Sequence, residues 1–255
     1  MNRKYLITAA ACALIAIGAL ISVAPWPGGQ AVAADTSTMT RPEIEAIIHD
    51  YLMDNPQVII DAVNKLATNE KENAERVAEA FLEDNREAIE NAPGAFIAGN
   101  PNGDVTIVEF FDYHCGYCKK SLAGLMKTVN DDKNIKLVLR EFPVLGPDSV
   151  FAAKAALASI KQGKYMELHE EMMEAKGKLT RSRIETMAIS VGIDLIELNE
   201  SLITEDHAKL LADNLDMAQG LGINGTPSFV LGGKIHHGMR SGEDLRALVA
   251  EARGS

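Results

Sequence analysis

The sequence predicts an α/β fold with a helical insertion, preceded by a separate helical arm. Three observations carry this. VTIVEFF at 105–111 and IKLVLREF at 135–142 are strand-like apolar runs with a helical stretch between them, which makes a βαβ unit. Helix-compatible segments follow, and the chain closes on two short strands and a helix. Upstream of the unit, ~50 residues carry helical periodicity and no strand signal.

Arg3 and Lys4 open the chain, a 20-residue apolar stretch occupies 5–24, and AVAA at 31–34 offers small residues for cleavage. That is the pattern of an export signal, although the apolar stretch is also long enough to anchor the chain in a bilayer. Residues 1–34 are therefore expected to be a signal peptide or a membrane anchor. DTSTMT at 35–40 is a polar linker. Pro42 and Glu43 suit a first helical turn. Ile44, Ile47, Ile48, Tyr51 and Leu52 form one apolar stripe, and Val58, Ile59, Ala62, Val63 and Leu66 form another after DNP at 54–56. The Glu- and Ala-rich stretch 69–90 continues as helix until Pro93-Gly94 stops it. The arm is placed at 35–92. It either packs on its own domain or joins copies of the chain.

The second domain is placed at 93–255. The run 105–111 is apolar on both faces, as a covered central strand requires. A helix is expected from Cys115 to about Val129. Helical segments at 147–161, 163–175, 180–191 and 204–220 make an insertion spanning about 147–220. GTPSFVLGGKIHHG at 225–238 reads as two strands around a Gly-Gly turn, and the final helix at 241–253 has Ser241 as its N-cap with Asp244 three residues on.

The net charge of −11 argues against nucleic-acid binding by phosphate neutralisation. Loss of Arg3 and Lys4 with the signal takes it to −13. Cys12 goes with the same segment and reads as a small hydrophobe. Cys115 and Cys118 then remain as one closely spaced pair in an exported chain. So short a loop constrains the unfolded state little, and the pair is there for its chemistry. A structural zinc site needs four ligands, and no further cysteine follows; His236 and His237 are adjacent and poorly spaced. Haem attachment needs CxxCH, whereas position 119 is Lys. A buried, inert pair is the plain alternative; the exported context and the preceding strand favour a redox dithiol, with no metal and no cofactor called for.

A thiol at a helix N-terminus faces unpaired N–H groups and the positive end of the dipole, so Cys115 should ionise readily. Cys118 lies one turn on, within reach of the first sulfur. His114 and Lys119 make the surroundings polar and electropositive. Glu109 shares a strand face with Val105, Ile107 and Phe111, and burial would raise its pKa. It is expected beneath the dithiol as a proton relay for Cys118, against the plainer reading of an acid exposed at a sheet edge. A cis peptide at Thr226–Pro227 would free the Thr226 backbone to pair with an extended substrate. His49, His169 and His207 read as ordinary surface or cap residues.

Taken together, export signal, strand, CGYC helix, helical insertion, Thr-Pro loop and ββα ending resemble the DsbA-like class of the thioredoxin fold, over residues 95–253. The resemblance implies that Cys115 is the exposed nucleophile and Cys118 the resolving thiol, with Pro227 facing them in cis and Glu109 beneath. The strong oxidases of that class carry Pro-His between the cysteines and Val before the proline. Here Gly116-Tyr117 and Thr226 stand instead, which resembles the disulfide isomerases. PEIEAIIHDYLMDNPQVI in the arm is similar to the N-terminal segment of the ScsC group, the suppressors of copper sensitivity, some of which trimerise through it.

The resemblance implies a periplasmic protein-disulfide isomerase or reductase, a homo-oligomer and possible trimer. Exported disulfide-containing proteins would be its substrates, with a redox partner at the membrane. Thr226, Pro227, His114, Gly116 and Tyr117 would line the substrate site. A dithiol oxidase, a Cu(I)-binding protein using the same thiols, and a non-enzymatic chaperone are the competing readings.

Overall fold

The computed structural model describes residues 39–203 and 205–254; residues 1–34, expected to be a signal peptide or a membrane anchor, lie outside them. The chain divides into two compact units, the first ending at Val58 and the second beginning at Ile59. The first contains α1 (Arg41–Asp54), which begins where the Glu43 carboxylate accepts the amide and the hydroxyl of Thr40, both at 2.8 Å. None of its residues is buried, and Ile44, Ile47, Ile48 and Tyr51 are exposed along it.

Helix α2 (Gln57–Glu90) changes character along its length. Through Val77 its side chains face solvent, Ile59, Ile60, Val63 and Leu66 among them. Beyond that point Ala78, Leu82 and Ile89 are buried in the second unit. The helix leads into the strands β1 (Phe96–Gly99), β2 (Val105–Phe111), β3 (Ile135–Glu141), β4 (Ser228–Leu231) and β5 (Lys234–His237). Their order in the sheet is β1-β3-β2-β4-β5. β2 runs parallel to β3 and antiparallel to β4, so it is the central strand.

Both faces of the sheet are covered. Val105, Ile107 and Phe111 face a core shared with α3 (Gly116–Asp132), α9 (Gly242–Gly254) and the insertion. Val108 and Phe110 face a second core, built from the end of α2 and the end of α8 (Glu205–Gly220). This is why β2 carries almost no polar residue and why Glu109 stands out. Gly124 and Gly242 let α3 and α9 touch: a Cβ on Gly124 would lie 2.8 Å from the Gly242 nitrogen.

The insertion comprises α4 (Pro147–Ser159), α5 (Tyr165–Glu174), α6 (Arg181–Ser190) and α7 (Leu195–Leu202), followed by α8. Two elements go beyond the sequence reading. β1 is only four residues long and ends at Gly99, too short to show alternation. α7 has eight residues and is capped by Asp194, whose carboxylate accepts the amides of Ile196 and Glu197. Among the described residues, no helix is long and apolar enough to cross a membrane.

Candidate active site

β2 ends at Phe111, and α3 starts five residues later, with Cys115 as its N-cap residue in extended conformation. The Cys115 sulfur accepts the Cys118 amide at 3.3 Å, so the helix is capped by the first thiol of the CxxC pair. Both cysteines are free thiols; Cys115 is 7% exposed and Cys118 fully buried. A hydrogen bond from the Cys118 thiol pulls the Cys115 pKa down to about 5, helped by the Thr226 side chain and the amides of Cys118 and Tyr117. Burial pushes the Cys118 thiol far up, as do its hydrogen bond to Cys115 and the nearby Glu109. One sulfur is ionised at neutral pH, and the other holds its proton.

The expected electropositive surroundings take a different form. Both ring nitrogens of His114 are engaged inside the protein: Nε2 accepts the Leu179 amide at 3.2 Å, and Nδ1 lies 3.1 Å from the Ser149 hydroxyl. The Lys119 ammonium donates to the carbonyls of Met172, Met173 and Ala175. Hydrogen bonds to the sulfur, rather than His114 or the Lys119 ammonium, are the leading causes of its low pKa.

Opposite Cys115, the Thr226–Pro227 peptide is cis. The Cys115 sulfur lies 3.2 Å from the Thr226 carbonyl, which accepts from it in its protonated form. The Pro227 carbonyl accepts the Gly238 amide, which ties the loop to the end of β5. Gly116 and Tyr117 form the open side: a Cβ at Gly116 would meet nothing within 4 Å, and Tyr117 is 63% exposed with the Lys120 ammonium over its ring.

Glu109 is 1% exposed on the central strand, so it is not an edge acid. Burial raises its pKa to about 8, with the charge of Cys115 adding to the effect. Such a carboxyl can exchange a proton near neutral pH. Together these groups can carry out thiol–disulfide exchange, with a ready thiolate, a masked second thiol and a buried acid near both.

A further set of polar residues escaped the sequence reading. Asp112 is buried, and its carboxylate accepts the His114 amide (2.7 Å), the Leu145 amide (3.0 Å) and the Ser149 hydroxyl (2.8 Å). Tyr113, Glu141, Tyr165 and His169 form a buried cluster, which corrects the expectation of His169 as a surface or cap residue. The signal was present: Tyr165, Leu168, His169, Met172 and Met173 share one face at i, i+3, i+4, i+7 and i+8, the buried face of α5.

Comparison with known proteins agrees with this geometry. Residues 106–250 match the DSBA-like thioredoxin domain, and residues 41–72 match the copper resistance protein ScsC N-terminal domain. A thioredoxin-like oxidoreductase from Silicibacter pomeroyi DSS-3 is 41% identical, with 67% of this chain and 99% of that one covered at a TM-score of 0.66. Proteus mirabilis ScsC, in a transitional conformation, is 28% identical over 84% of this chain and 96% of its own, at a TM-score of 0.65. Among curated relatives, the Na(+)/H(+) antiporter NhaA 1 of Salinispora arenicola is 31% identical over 158 residues, 61% of this chain. The present chain spans only 24% of that antiporter's length. With a match over more than half its length and a CxxC dithiol at the start of α3, the chain belongs to the DsbA-like family of thioredoxin-fold thiol–disulfide oxidoreductases.

Proposed function

We propose that this chain is an exported, periplasmic protein-disulfide isomerase or reductase that works as a homo-oligomer held together by its N-terminal arm. The Cys115 thiolate attacks a substrate disulfide, forming a mixed disulfide and releasing one substrate sulfur as thiolate. In isomerisation, a substrate thiolate attacks the mixed disulfide and Cys115 leaves as thiolate again. In reduction, Cys118 gives its proton to Glu109 and attacks the Cys115 sulfur. The second substrate thiolate leaves, and a Cys115–Cys118 disulfide remains. A redox partner at the membrane then restores the dithiol. Thr226 and Pro227 on one side, and His114, Gly116 and Tyr117 on the other, border the space an extended substrate segment would take.

The observation that carries the isomerase reading is the arm. Ile44, Ile47, Ile48, Tyr51, Ile59, Ile60, Val63 and Leu66 are each 44–59% exposed, an apolar load that a lone chain would not leave in water. Joining active sites through such an arm raises the effective concentration of thiols around one misfolded substrate.

A dithiol oxidase is favoured by a different observation. A nucleophile pKa of about 5 stabilises the reduced protein, which makes its disulfide a better oxidant. The similarity of residues 41–72 to a copper resistance protein supports a Cu(I) reading through the same two thiols.

One assay separates the first two readings: refolding of a scrambled-disulfide substrate under mildly reducing conditions. Residues 35–255 are compared with a chain beginning at Asn73, which keeps the buried Ala78, Leu82 and Ile89 of α2. Reshuffling by the longer chain alone supports the oligomeric isomerase. If neither reshuffles and both rapidly oxidise a reduced substrate, the oxidase reading stands. Stoichiometric Cu(I) binding that needs both cysteines would support the third.

A further inference from the structure

We propose that α5 of the insertion positions the dithiol by gripping the two residues that flank it: Tyr113 on one side of the CGYC segment and Lys119 on the other. The inference rests on the reading that Cys115 and Cys118 perform the exchange.

Tyr113 lies two residues before Cys115 in the turn between β2 and α3, and its side chain is 1% exposed. Its hydroxyl donates to Glu141 Oε1 at 3.0 Å and lies 3.0 Å from His169 Nδ1. With the hydroxyl proton directed at Glu141, the ring nitrogen is the donor in the second bond. From α5, the Tyr165 hydroxyl donates to the same Oε1 at 2.7 Å, and the Tyr165 ring stacks on His169. Tyr113 is thus fixed between a strand residue and a helix residue of the insertion.

On the far side, Lys119 follows Cys118 directly. Its ammonium donates to Met172 O at 2.6 Å, Ala175 O at 3.0 Å and Met173 O at 3.2 Å. These carbonyls end α5, where backbone acceptors lack helical partners and the dipole favours a cation. One helix therefore holds both ends of a seven-residue segment that contains both sulfurs.

Stability alone gives no reason for the cluster. Glu141 and His169 are at most 1% exposed, and Glu141 Oε2 and His169 Nε2 find no partner among the described residues. Apolar residues of similar shape could fill the space without desolvating polar groups. What the polar cluster adds is direction: it allows Tyr113 one orientation, and with it the turn leading into Cys115. The thiolate depends on that turn. Its amide donor from Cys118 sits at 3.3 Å, so a shift of a few tenths of an ångström weakens the bond.

The test is Tyr113→Phe, with Tyr165→Phe as the comparison. Each removes one hydroxyl from the same carboxyl oxygen of Glu141, but only the first lies in the turn. In Tyr113→Phe the pH midpoint for Cys115 thiolate formation, followed by ultraviolet absorbance, should rise by about one unit. Its equilibrium with glutathione should shift about tenfold towards the disulfide form, since the reduced state loses stabilisation. Tyr165→Phe should lower the thermal midpoint and move the redox equilibrium less than threefold. If Tyr113→Phe does not fold, His169→Leu removes the other partner of the same hydroxyl and should shift the midpoint in the same direction. A folded Tyr113→Phe or His169→Leu with an unmoved Cys115 midpoint overturns the inference, as does an equal shift in Tyr165→Phe. Absence of any exchange activity in the unaltered protein overturns the underlying reading instead.

Discussion

The amide of Cys118 donates to the sulfur of Cys115 at 3.3 Å, while the Cys118 thiol itself is fully buried. The residue proposed to resolve the mixed disulfide therefore also helps stabilise the Cys115 thiolate of the reduced protein, before any substrate sulfur is joined to it. Two thiols three residues apart are split in acidity, one brought down to about 5 and the other pushed far up.

Alkylation of the reduced protein should report this split. Its rate at Cys115 should rise about tenfold per pH unit below pH 5 and level off above pH 6, because the thiolate is the nucleophile. Cys118 should stay unmodified across that range. A midpoint near 8.5, the value of an ordinary thiol, would remove the basis for Cys115 as an activated nucleophile.

The same depression makes the reduced fold pH-dependent. A group with a lowered folded pKa stabilises the fold fully above its unfolded pKa and loses that stabilisation as pH falls to the folded value. The reduced protein should thus gain stability over Cys115→Ser between about pH 5 and pH 9. Paired denaturant titrations at pH 5, 7 and 9 measure the difference; a gap that narrows with rising pH contradicts the assignment.

Glu109 has the opposite sign. Its folded pKa of about 8 lies above its unfolded value, so its favourable contribution is present below about pH 4.5 and is lost as pH rises towards 8. Glu109→Gln should therefore stabilise the protein at pH 7, by on the order of 3 kcal/mol. It should also slow the resolving step while leaving the first attack by Cys115 intact. Single-turnover release of substrate from the mixed disulfide separates the two steps. Unchanged release would leave Glu109 without a part in proton transfer.

Much of this site could be read along the chain, because its central residues are local to one another. Glu109, Cys115 and Cys118 fall within ten residues, and their chemistry follows from a strand running into a helix. The Thr226–Pro227 loop is distant in sequence but carries its own backbone signal. What was not legible is the cluster that joins Tyr113 to Glu141, Tyr165 and His169. Each of its members looks ordinary alone, and only the parallel pairing of Phe111 with Glu141, with α5 packed over it, brings them together. β1 and α7 were missed for a simpler reason: four and eight residues give too few positions for a period to show.

The crossing of α3 and α9 tests how rigidly the nucleophile's helix is seated. A Cβ at Gly124 would approach the Gly242 nitrogen to 2.8 Å and its Cα to 3.2 Å, contacts with backbone that cannot swing away. Gly124→Ala should force the helices apart and cost ~1–3 kcal/mol, despite alanine's better helix propensity. A thermal midpoint at or above that of the unaltered protein would show that the crossing is looser than this contact implies.

The arm offers the last test. Ile59, Val63 and Leu66 lie on one face of α2 at i, i+4 and i+7, and each is more than half exposed. If this stripe joins copies of the chain, placing charge on it leaves carboxylates facing apolar partners with no counter-charge, which the assembly cannot accommodate. The double substitution Ile59→Glu with Val63→Glu should therefore yield monomers by light scattering. The catalytic unit begins its buried contacts only at Ala78, so its folding and its reaction with a small disulfide should be unaffected. Reshuffling of a scrambled protein should fall to the level of the chain beginning at Asn73. An intact oligomer in the double variant would place the interface elsewhere, and a monomer that still reshuffles would separate assembly from isomerase activity.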